Sequence, residues 1–295
     1  MNKIEYRKAR DFGGILNVSF DYIRSNFKTL FKSNLLIAGT PILIAGIFMG
    51  IYQSSALNFA NRYGLEDIGI PIVLAMIFSG VAYLLVICVT YSHLMLSKNP
   101  EIESFDTDEI WEETKRNFST IFTTGLGLML ILFLVAVLTF GIGFYLTSEG
   151  YYFFILLLLF GMGFVLYLSI NYSLIFIVRL EEKISFSESL KRSKELVKGN
   201  WWFTFGLILV VTIIQGFLSF VFYIPYYIVI FLVAFTGFEN EVNDFNKILF
   251  MISGIISLLS ILLYTISIIS ISFQYYNLVE RKEAPGLFQQ LDEIK

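Results

Sequence analysis

The sequence contains a single cysteine, Cys88, and a single histidine, His93, among its 295 residues. One cysteine cannot form an intramolecular disulfide, and one histidine cannot supply a multi-histidine metal site or a pair of catalytic histidines. Cys88 also lies inside an apolar run without a second ligand beside it. We therefore predict no metal site, and we expect His93 to be a polar residue at a membrane interface.

Charged residues are also scarce, at 15 % of the chain, whereas 56 % of the residues are hydrophobic and the mean hydropathy is +0.72. This composition is too apolar for an ordinary soluble domain. The net charge of −3 gives no support to nucleic-acid binding. No cleaved secretory signal is visible, and the alternation typical of membrane β-strands is missing. The sequence therefore predicts a helical integral membrane protein.

The apolar runs predict six membrane-spanning helices, each long enough to cross about 30 Å of hydrocarbon at about 1.5 Å per residue. Of the 21 Lys and Arg residues, 19 fall in the N-terminal arm, the loops 97–119 and 179–200 and the C-terminal tail; only Arg62 and Lys247 fall in the other loops. This bias predicts that both termini are cytoplasmic. The spans are predicted at 34–53, 68–96, 120–147, 151–178, 201–223 and 248–276.

Pro225 interrupts the longest apolar stretch, which runs from Trp201 to Gly237. Because proline lacks the helical N–H donor and clashes with the preceding turn, we predict that the fifth span ends near Tyr223. Residues 226–237 are then expected to lie at the outer interface or to dip back into the bilayer, since tyrosine rings favour the headgroup level.

No acidic or basic residue falls in the middle of a predicted span. Proton relays, ion coupling and voltage sensing normally require such groups, so a coupled transporter is disfavoured. The chain also lacks a glycine-rich phosphate loop, a nucleophile elbow and a metal-spaced Cys/His cluster. We therefore predict no catalytic residues and no cofactor.

A short motif, an asparagine followed by an aromatic residue, recurs three times before an apolar run. The copies are RSNFKTLF at 24–31, KRNFSTIF at 115–122 and KGNWWFTF at 198–205. We interpret each as a corner where an interfacial helix turns into a span. The asparagine can satisfy a loose backbone group there, and the ring can anchor the chain at the interface. The corner asparagines are Asn26, Asn117 and Asn200.

Further matches around these corners predict an internal repeat. Phe, Leu and Ser precede both Asn26 and Asn200 by 14, 10 and 7 residues. Each repeat is expected to hold an amphipathic interfacial helix and a hairpin of two spans, and successive repeats run parallel. The predicted fold is an all-α polytopic membrane protein in one membrane domain, 1–295. Its repeats cover about 12–96, 104–178 and 185–277, with a fourth interfacial helix at about 285–295.

At FSESLKRSKELVKGNWWFTFGLILV, residues 186–210, the chain resembles bacterial proteins grouped around the glycerophosphodiester phosphodiesterase membrane domain. These proteins pair a Ser/Leu-rich amphipathic helix with an aromatic-led span. The whole chain is similar to uncharacterised versions from Bacteroidetes-type bacteria, and its 295 residues contain no phosphodiesterase domain. The resemblance implies a fold and a membrane location, and it implies no reaction.

Four polar residues in or near the predicted spans are candidates for contacts inside the bilayer. Amides there can form interhelical hydrogen bonds worth roughly 0.6–2 kcal/mol, or they can contact a substrate, and both alternatives stay open. The residues are His93, Asn171, Gln215 and Gln274.

Seven acidic residues lie between positions 101 and 113, without a basic residue before Lys115. They can form a solvated face, or they can dock a basic cytoplasmic partner while the basic helices bind anionic lipid. The acids are Glu101, Glu103, Asp106, Asp108, Glu109, Glu112 and Glu113.

Two functions fit this sequence. The first is a non-enzymatic scaffold or accessory subunit of a membrane protein complex in the bacterial inner membrane, with interfacial helices that bind lipid. The second is a transporter or another lipid- or amphiphile-handling protein, with Asn171 and Gln215 on a pathway between repeats. A membrane-embedded enzyme is the least supported, because no catalytic constellation is present.

Overall fold

Long helices dominate the chain, as expected where lipid leaves every backbone N–H and C=O to be satisfied internally. The computed structural model describes residues 5–59, 66–99, 102, 104–145, 151–236 and 244–284, and this part of the chain contains no strand. The helices are α1 (Phe12–Ser25), α2 (Phe27–Phe59), α3 (Glu66–Lys98), α4 (Thr107–Tyr145), α5 (Tyr151–Asn171), α6 (Ile175–Glu182), α7 (Phe186–Val197), α8 (Trp201–Thr236), α9 (Asp244–Leu258), a 3-10 segment (Leu259–Leu263) and α10 (Tyr264–Glu283).

Six segments are long and apolar enough to cross a membrane, in the predicted number and order. Phe160, Phe217 and Phe235 on these segments are 74 %, 77 % and 81 % exposed, as expected for side chains that contact lipid tails. The fold is therefore that of an all-helical, multi-pass membrane protein. The internal repeat and the orientation of the termini stay predictions. The segments are Phe27–Ala56, Gly69–Lys98, Thr107–Thr139, Leu158–Glu182, Trp201–Phe235 and Phe245–Glu283.

The contacts of the chain divide it into two compact units. Unit 1 comprises Met1–Ser19, Lys115–Leu209 and Ser270–Lys295, and unit 2 comprises Phe20–Thr114 and Val210–Ile269. Each unit is built from segments that are distant in sequence.

In unit 2, helix α2 packs against α3 and α9. Glycines let α2 and α9 approach closely, because they have no side chain to separate the two backbones. A Cβ placed on Gly46 would lie 2.4 Å from the Cα of Ile255, and one on Gly50 would lie 2.3 Å from the Cα of Met251. The two helices are antiparallel, since the contact moves backward along α9 as it moves forward along α2.

In unit 1, helix α7 packs against α5 and α6. It begins with a capping box, in which the Ser185 hydroxyl accepts a hydrogen bond from the Glu188 N–H and the Glu188 carboxylate accepts one from the Ser185 N–H. Arg192 forms ion pairs with Glu182 at 2.9 Å and with Glu283 at 2.5 Å. These bonds tie α7 to the end of α6 and to the end of α10.

The predicted end of the fifth span near Tyr223 is wrong, because α8 continues through Pro225 to Thr236. Residues 226–236 are therefore helical, while Gly237 lies outside the described residues. Ending the helix at Pro225 would leave several backbone groups unpaired in lipid, whereas a proline inside a membrane helix removes one hydrogen bond. Pro41 in α2 and Pro71 in α3 are accommodated in the same way.

Asn117 was expected at a corner, but it lies inside α4, which runs without interruption from Thr107 to Tyr145. The third copy of the motif turns at Gly199, whose φ of 84° is a conformation that favours glycine. The middle copy has Arg116 at that place, and its chain stays helical. The amphipathic segment and the third span are therefore one long helix.

Two of the spans are interrupted where the sequence predicted continuous helices. The fourth span breaks at 172–174, between α5 and α6, and the sixth contains the 3-10 segment. The break in the fourth span frees the carbonyl of Asn171, which accepts a hydrogen bond from the Ser193 hydroxyl at 2.7 Å.

The three- and four-residue spacing of Phe12, Leu16, Phe20 and Ile23 predicts an apolar face for α1, and the buried stripe of the helix lies beside it. Ile15, Val18 and Tyr22 are the buried apolar residues of α1, whereas Phe20, placed on the predicted face, is 37 % exposed. The predicted interfacial helix at 285–295 lies outside the described residues.

Candidate functional site

Unit 2 contains a pocket of about 420 Å³. Its walls are the end of α1, the start of α2, part of α8 and the 3-10 segment with the first turn of α10. Ligand pockets in proteins are commonly about 300–1,000 Å³ and mostly apolar, with a few polar groups that fix the ligand. Representative apolar residues of the lining are Phe20, Phe27, Phe31, Leu218, Phe222 and Leu262.

The junction of α1 and α2 forms one wall of this pocket. Asn26 stands at the junction, where its Nδ2 donates to the Tyr22 carbonyl at 2.9 Å and its own carbonyl accepts from the Leu30 N–H at 2.9 Å. The rings of Phe27 and Phe31 stack with centroids 5.6 Å apart, and they are 56 % and 46 % exposed. They form the exposed edge of the pocket.

The 3-10 segment supplies the opposite wall. The hydroxyls of Ser253 and Ser257 before this segment, and that of Ser260 within it, each donate to the carbonyl three residues earlier. Such bonds from serine bend helices, and a stretch of 3-10 helix inside a span often marks a hinge. The wall therefore contains a local departure from regular α-helix.

Asn34 and Thr265 are the polar residues of the lining. The Thr265 hydroxyl is paired with that of Thr90 at 3.2 Å. The Nδ2 of Asn34 donates to the Leu30 carbonyl at 2.9 Å, which fixes the orientation of the amide. Asn34 is 2 % exposed, and its Oδ1 has no hydrogen-bond partner among the described residues. The pocket thus combines an apolar lining with one buried, unpaired acceptor.

His93, expected at a membrane interface, is fully buried in α3. Its Nδ1 lies 2.7 Å from the Tyr22 hydroxyl, which lies 2.6 Å from the Ser97 hydroxyl; the latter donates to the His93 carbonyl at 2.9 Å. If Nδ1 of His93 carries the proton, each donor in this series of hydrogen bonds has an acceptor. Nε2 is then an acceptor without a hydrogen-bond partner among the described residues. This arrangement fixes α1 to α3 within unit 2.

The three candidate amides make hydrogen bonds within the protein, and none lines the pocket. Gln215 accepts from the Ser267 hydroxyl at 2.6 Å. Gln274 donates to the Thr204 hydroxyl at 2.9 Å and accepts from Asn277 at 3.2 Å. The Nδ2 of Asn171 donates to the Tyr167 carbonyl at 2.8 Å, so its amide completes the end of α5.

Asn200 stands immediately before α8, and its carbonyl accepts from the Thr204 N–H at 2.9 Å, as the Asn26 carbonyl accepts from Leu30. Asn26 and Asn200 therefore each stand immediately before a span-forming helix, whereas Asn117 lies inside α4. The side chain of Asp11 accepts from the Gly14 N–H, 15 residues before Asn26, and Ser185 caps α7, 15 residues before Asn200.

Two of the predicted docking acids cap α4. The Asp106 carboxylate accepts from the Asp108 and Glu109 N–H groups, and the Glu109 carboxylate accepts from the Asp106 N–H. Asp108 and Glu112 are exposed and Glu113 is half-buried, while Glu101 and Glu103 lie outside the described residues. Asp106 and Glu109, two members of the acidic cluster, thus stabilise the start of α4.

Asn34 is not among the site residues predicted from the sequence, in which it is the first position of the first predicted span. The available signal was an asparagine in an apolar run eight residues after a corner asparagine. Its lack of a partner depends on contacts with distant residues and is not written in the local sequence.

These features define a helical, multi-pass membrane protein with a mostly apolar pocket in unit 2. No family model, curated protein or solved structure matches the chain significantly. The resemblance to the phosphodiesterase membrane-domain families stays a prediction.

Proposed function

We propose that this chain is a non-enzymatic protein of the bacterial inner membrane that binds an amphiphile in the unit 2 pocket. The carrying observation is the buried Oδ1 of Asn34, an unpaired acceptor in an otherwise apolar lining. An unpaired buried acceptor costs about 1–3 kcal/mol. A ligand that donates a hydrogen bond to this atom recovers part of that cost.

The hydrogen bond that the ligand donates to Asn34 Oδ1 determines which amphiphile the pocket prefers. Lipid tails are as apolar as leucine side chains, so an apolar lining alone gives a ligand little reason to leave the bilayer. Ester linkages offer acceptors, whereas Asn34 Oδ1 requires a donor. The volume of about 420 Å³ is near the lower end of the usual range. The proposed ligand therefore has one apolar chain and a hydroxyl or amide N–H at its polar end.

Asn34 stands seven residues after the start of α2, about 10 Å along the helix at about 1.5 Å per residue. If α2 begins at the interface, this depth suits the polar end of an amphiphile whose chain extends among the leucine and phenylalanine side chains. Because Oδ1 is covered in this structure, contact requires rotation of a lining side chain. The exposed rings of Phe27 and Phe31 can rotate without breaking a hydrogen bond.

The test is equilibrium binding of a radiolabelled long-chain alcohol to the purified full-length chain in detergent. Leu218→Trp would fill the pocket and should abolish saturable binding. The matched control is Ile213→Trp on the same helix; Leu218 is 43 % and Ile213 49 % exposed, and Ile213 lies outside the lining. Asn34→Leu should weaken binding about tenfold, the loss of one good hydrogen bond. Equal binding by Leu218→Trp and Ile213→Trp would refute the proposal.

The scaffold function remains a second candidate, supported by the exposed charges of two helices. Helix α7 exposes Lys191 and Lys194, and Lys198 is exposed immediately after it. The start of α4 exposes Asp108 and Glu112. Exposed charges of either sign can guide the docking of a protein partner that presents the opposite charge. Affinity isolation from native membranes tests it: a stoichiometric protein partner that is lost with Asp108→Asn plus Glu112→Gln supports docking there. A partner retained by that variant contradicts it.

A further inference from the structure

Arg179, near the end of α6 in unit 1, is held by one short stretch of α4. Its Nη1 contacts the Thr120 carbonyl at 3.2 Å and the hydroxyls of Thr123 and Thr124 at 2.8 Å each. Both hydroxyls donate their own hydrogens to carbonyls of α4, so their lone pairs face the guanidinium. Three acceptors on one nitrogen fix the orientation of the whole planar group.

The other edge of this guanidinium, formed by Nε and Nη2, has no hydrogen-bond or ion-pair partner in the described part of the chain. The two carboxylates that follow it on α6 are engaged elsewhere. Glu182 binds Arg192 and the Tyr275 hydroxyl, and Glu181 accepts from the Tyr276 hydroxyl. No described acid therefore neutralises the charge of Arg179.

A free Nε/Nη2 edge presents two parallel N–H donors, the geometry that matches two oxygens of a phosphate. Arg179 is half-exposed and Thr123 is exposed, so the edge is accessible from outside unit 1. Arg179 lies three residues before the end of a span-forming segment, and Thr120 begins the predicted apolar run. If this end of the Leu158–Glu182 segment lies at the membrane interface, the guanidinium is near the lipid phosphates.

We propose that Arg179 binds the phosphate of an anionic membrane lipid, in the leaflet that the predicted orientation makes cytoplasmic. The threonines hold the guanidinium in place, and the lipid supplies the counter-charge that the described acids do not. This site rests on residues of unit 1 alone and does not depend on the amphiphile pocket. A carboxylate would fit the same edge, but the lipid phosphodiester, with two non-bridging oxygens that share one negative charge, is the abundant group of this geometry at a membrane interface.

Native mass spectrometry of the full-length chain tests the proposal, with titration by phosphatidylglycerol, phosphatidylcholine or inorganic phosphate. The wild type should retain phosphatidylglycerol, and Arg179→Gln should weaken this binding at least tenfold, as expected for a charge-assisted, two-bond contact. Lys194→Gln removes an exposed positive charge from the same cytoplasmic segment and should change the affinity less than twofold.

Arg179→Lys separates lipid binding from a purely structural role. Lysine keeps the charge and can still donate to the threonine hydroxyls, but it lacks the second edge. It should fold like the wild type, as checked by thermal unfolding, and still lose most of the phosphatidylglycerol preference. Full binding by Arg179→Lys would overturn the proposal, as would equal losses in Arg179→Gln and Lys194→Gln. If inorganic phosphate bound to Arg179 as well as phosphatidylglycerol does, the proposal that the phosphate belongs to a lipid would be wrong.

Discussion

An asparagine whose oxygen lacks a partner is costly inside a protein, because the cost of removing that oxygen from water is not repaid. Asn34 is such a residue, and it lies in the wall of a pocket. Residues that lower stability without an evident structural benefit are expected at functional sites. At the scale of single residues, this is the main reason to connect the pocket with a ligand.

Asn34→Leu should therefore stabilise the ligand-free protein while it weakens amphiphile binding. Leucine is similar in size, and it removes the unpaired acceptor at the loss of one hydrogen bond to the Leu30 carbonyl. We expect a gain of about 1 kcal/mol in the free energy of unfolding, measured by thermal or denaturant unfolding in detergent after lipid removal. A loss of stability would show that the amide serves the fold instead.

The capping box of α7 makes a prediction about pH. Hydrogen bonds from the Ser185 hydroxyl and N–H hold the pKa of Glu188 below its ordinary value. A carboxyl whose pKa is lower in the folded state stabilises the protein above its unfolded pKa of about 4.3, and this contribution is lost as the pH falls towards the folded pKa. The wild type should therefore lose more thermal stability than Glu188→Gln between pH 7 and pH 3.5.

The control for this pH series is Glu195→Gln, since Glu195 is an exposed acid of α7 outside the capping box. Its pH dependence should follow that of the wild type. If Glu188→Gln also follows the wild type, the carboxylate of Glu188 does not contribute through the cap.

At the scale of elements, the close approach of α2 and α9 carries the packing of unit 2. Gly50→Ala should lower the free energy of unfolding by at least about 1–3 kcal/mol, because its Cβ would overlap the backbone of Met251. Gly80→Ala in α3 is the matched control, since a Cβ there meets no atom within 4 Å. That substitution should be neutral or slightly stabilising because alanine favours helix. Equal effects of the two variants would contradict the close packing.

The location of the spans could be predicted because length and hydropathy are local properties of the sequence. Whether each span is one uninterrupted helix could not be predicted in this way. Pro225 suggests a break that lipid makes unfavourable. Asn117 repeats a corner motif inside α4, with Arg116 where the third copy has the turning Gly199. The break after Asn171 depends on Ser193, a partner from another helix. The pocket depends on contacts among α1, α2, α8 and α10 that no single segment encodes.

At the scale of the whole molecule, the charge bias predicts that both termini and the segment around α7 face the cytoplasm. In a Cys88→Ala background, Lys194→Cys should react with an impermeant maleimide in inside-out vesicles and be protected in intact spheroplasts. Arg62→Cys should show the opposite pattern. Labelling of both cysteines from the same side would contradict six spans with this orientation.

Photo-crosslinking would show whether the unit 2 pocket holds an amphiphile. A long-chain alcohol with a diazirine in its chain would be incubated with the wild-type protein in native-like membranes and irradiated, and the modified peptides would be mapped by mass spectrometry. If the pocket is occupied, the adducts should concentrate in residues 20–34, 218–222 and 259–266. Leu218→Trp should suppress these adducts, and Ile213→Trp should retain them. Adducts spread evenly over the lipid-facing surfaces, unchanged by Leu218→Trp, would contradict amphiphile binding in this pocket.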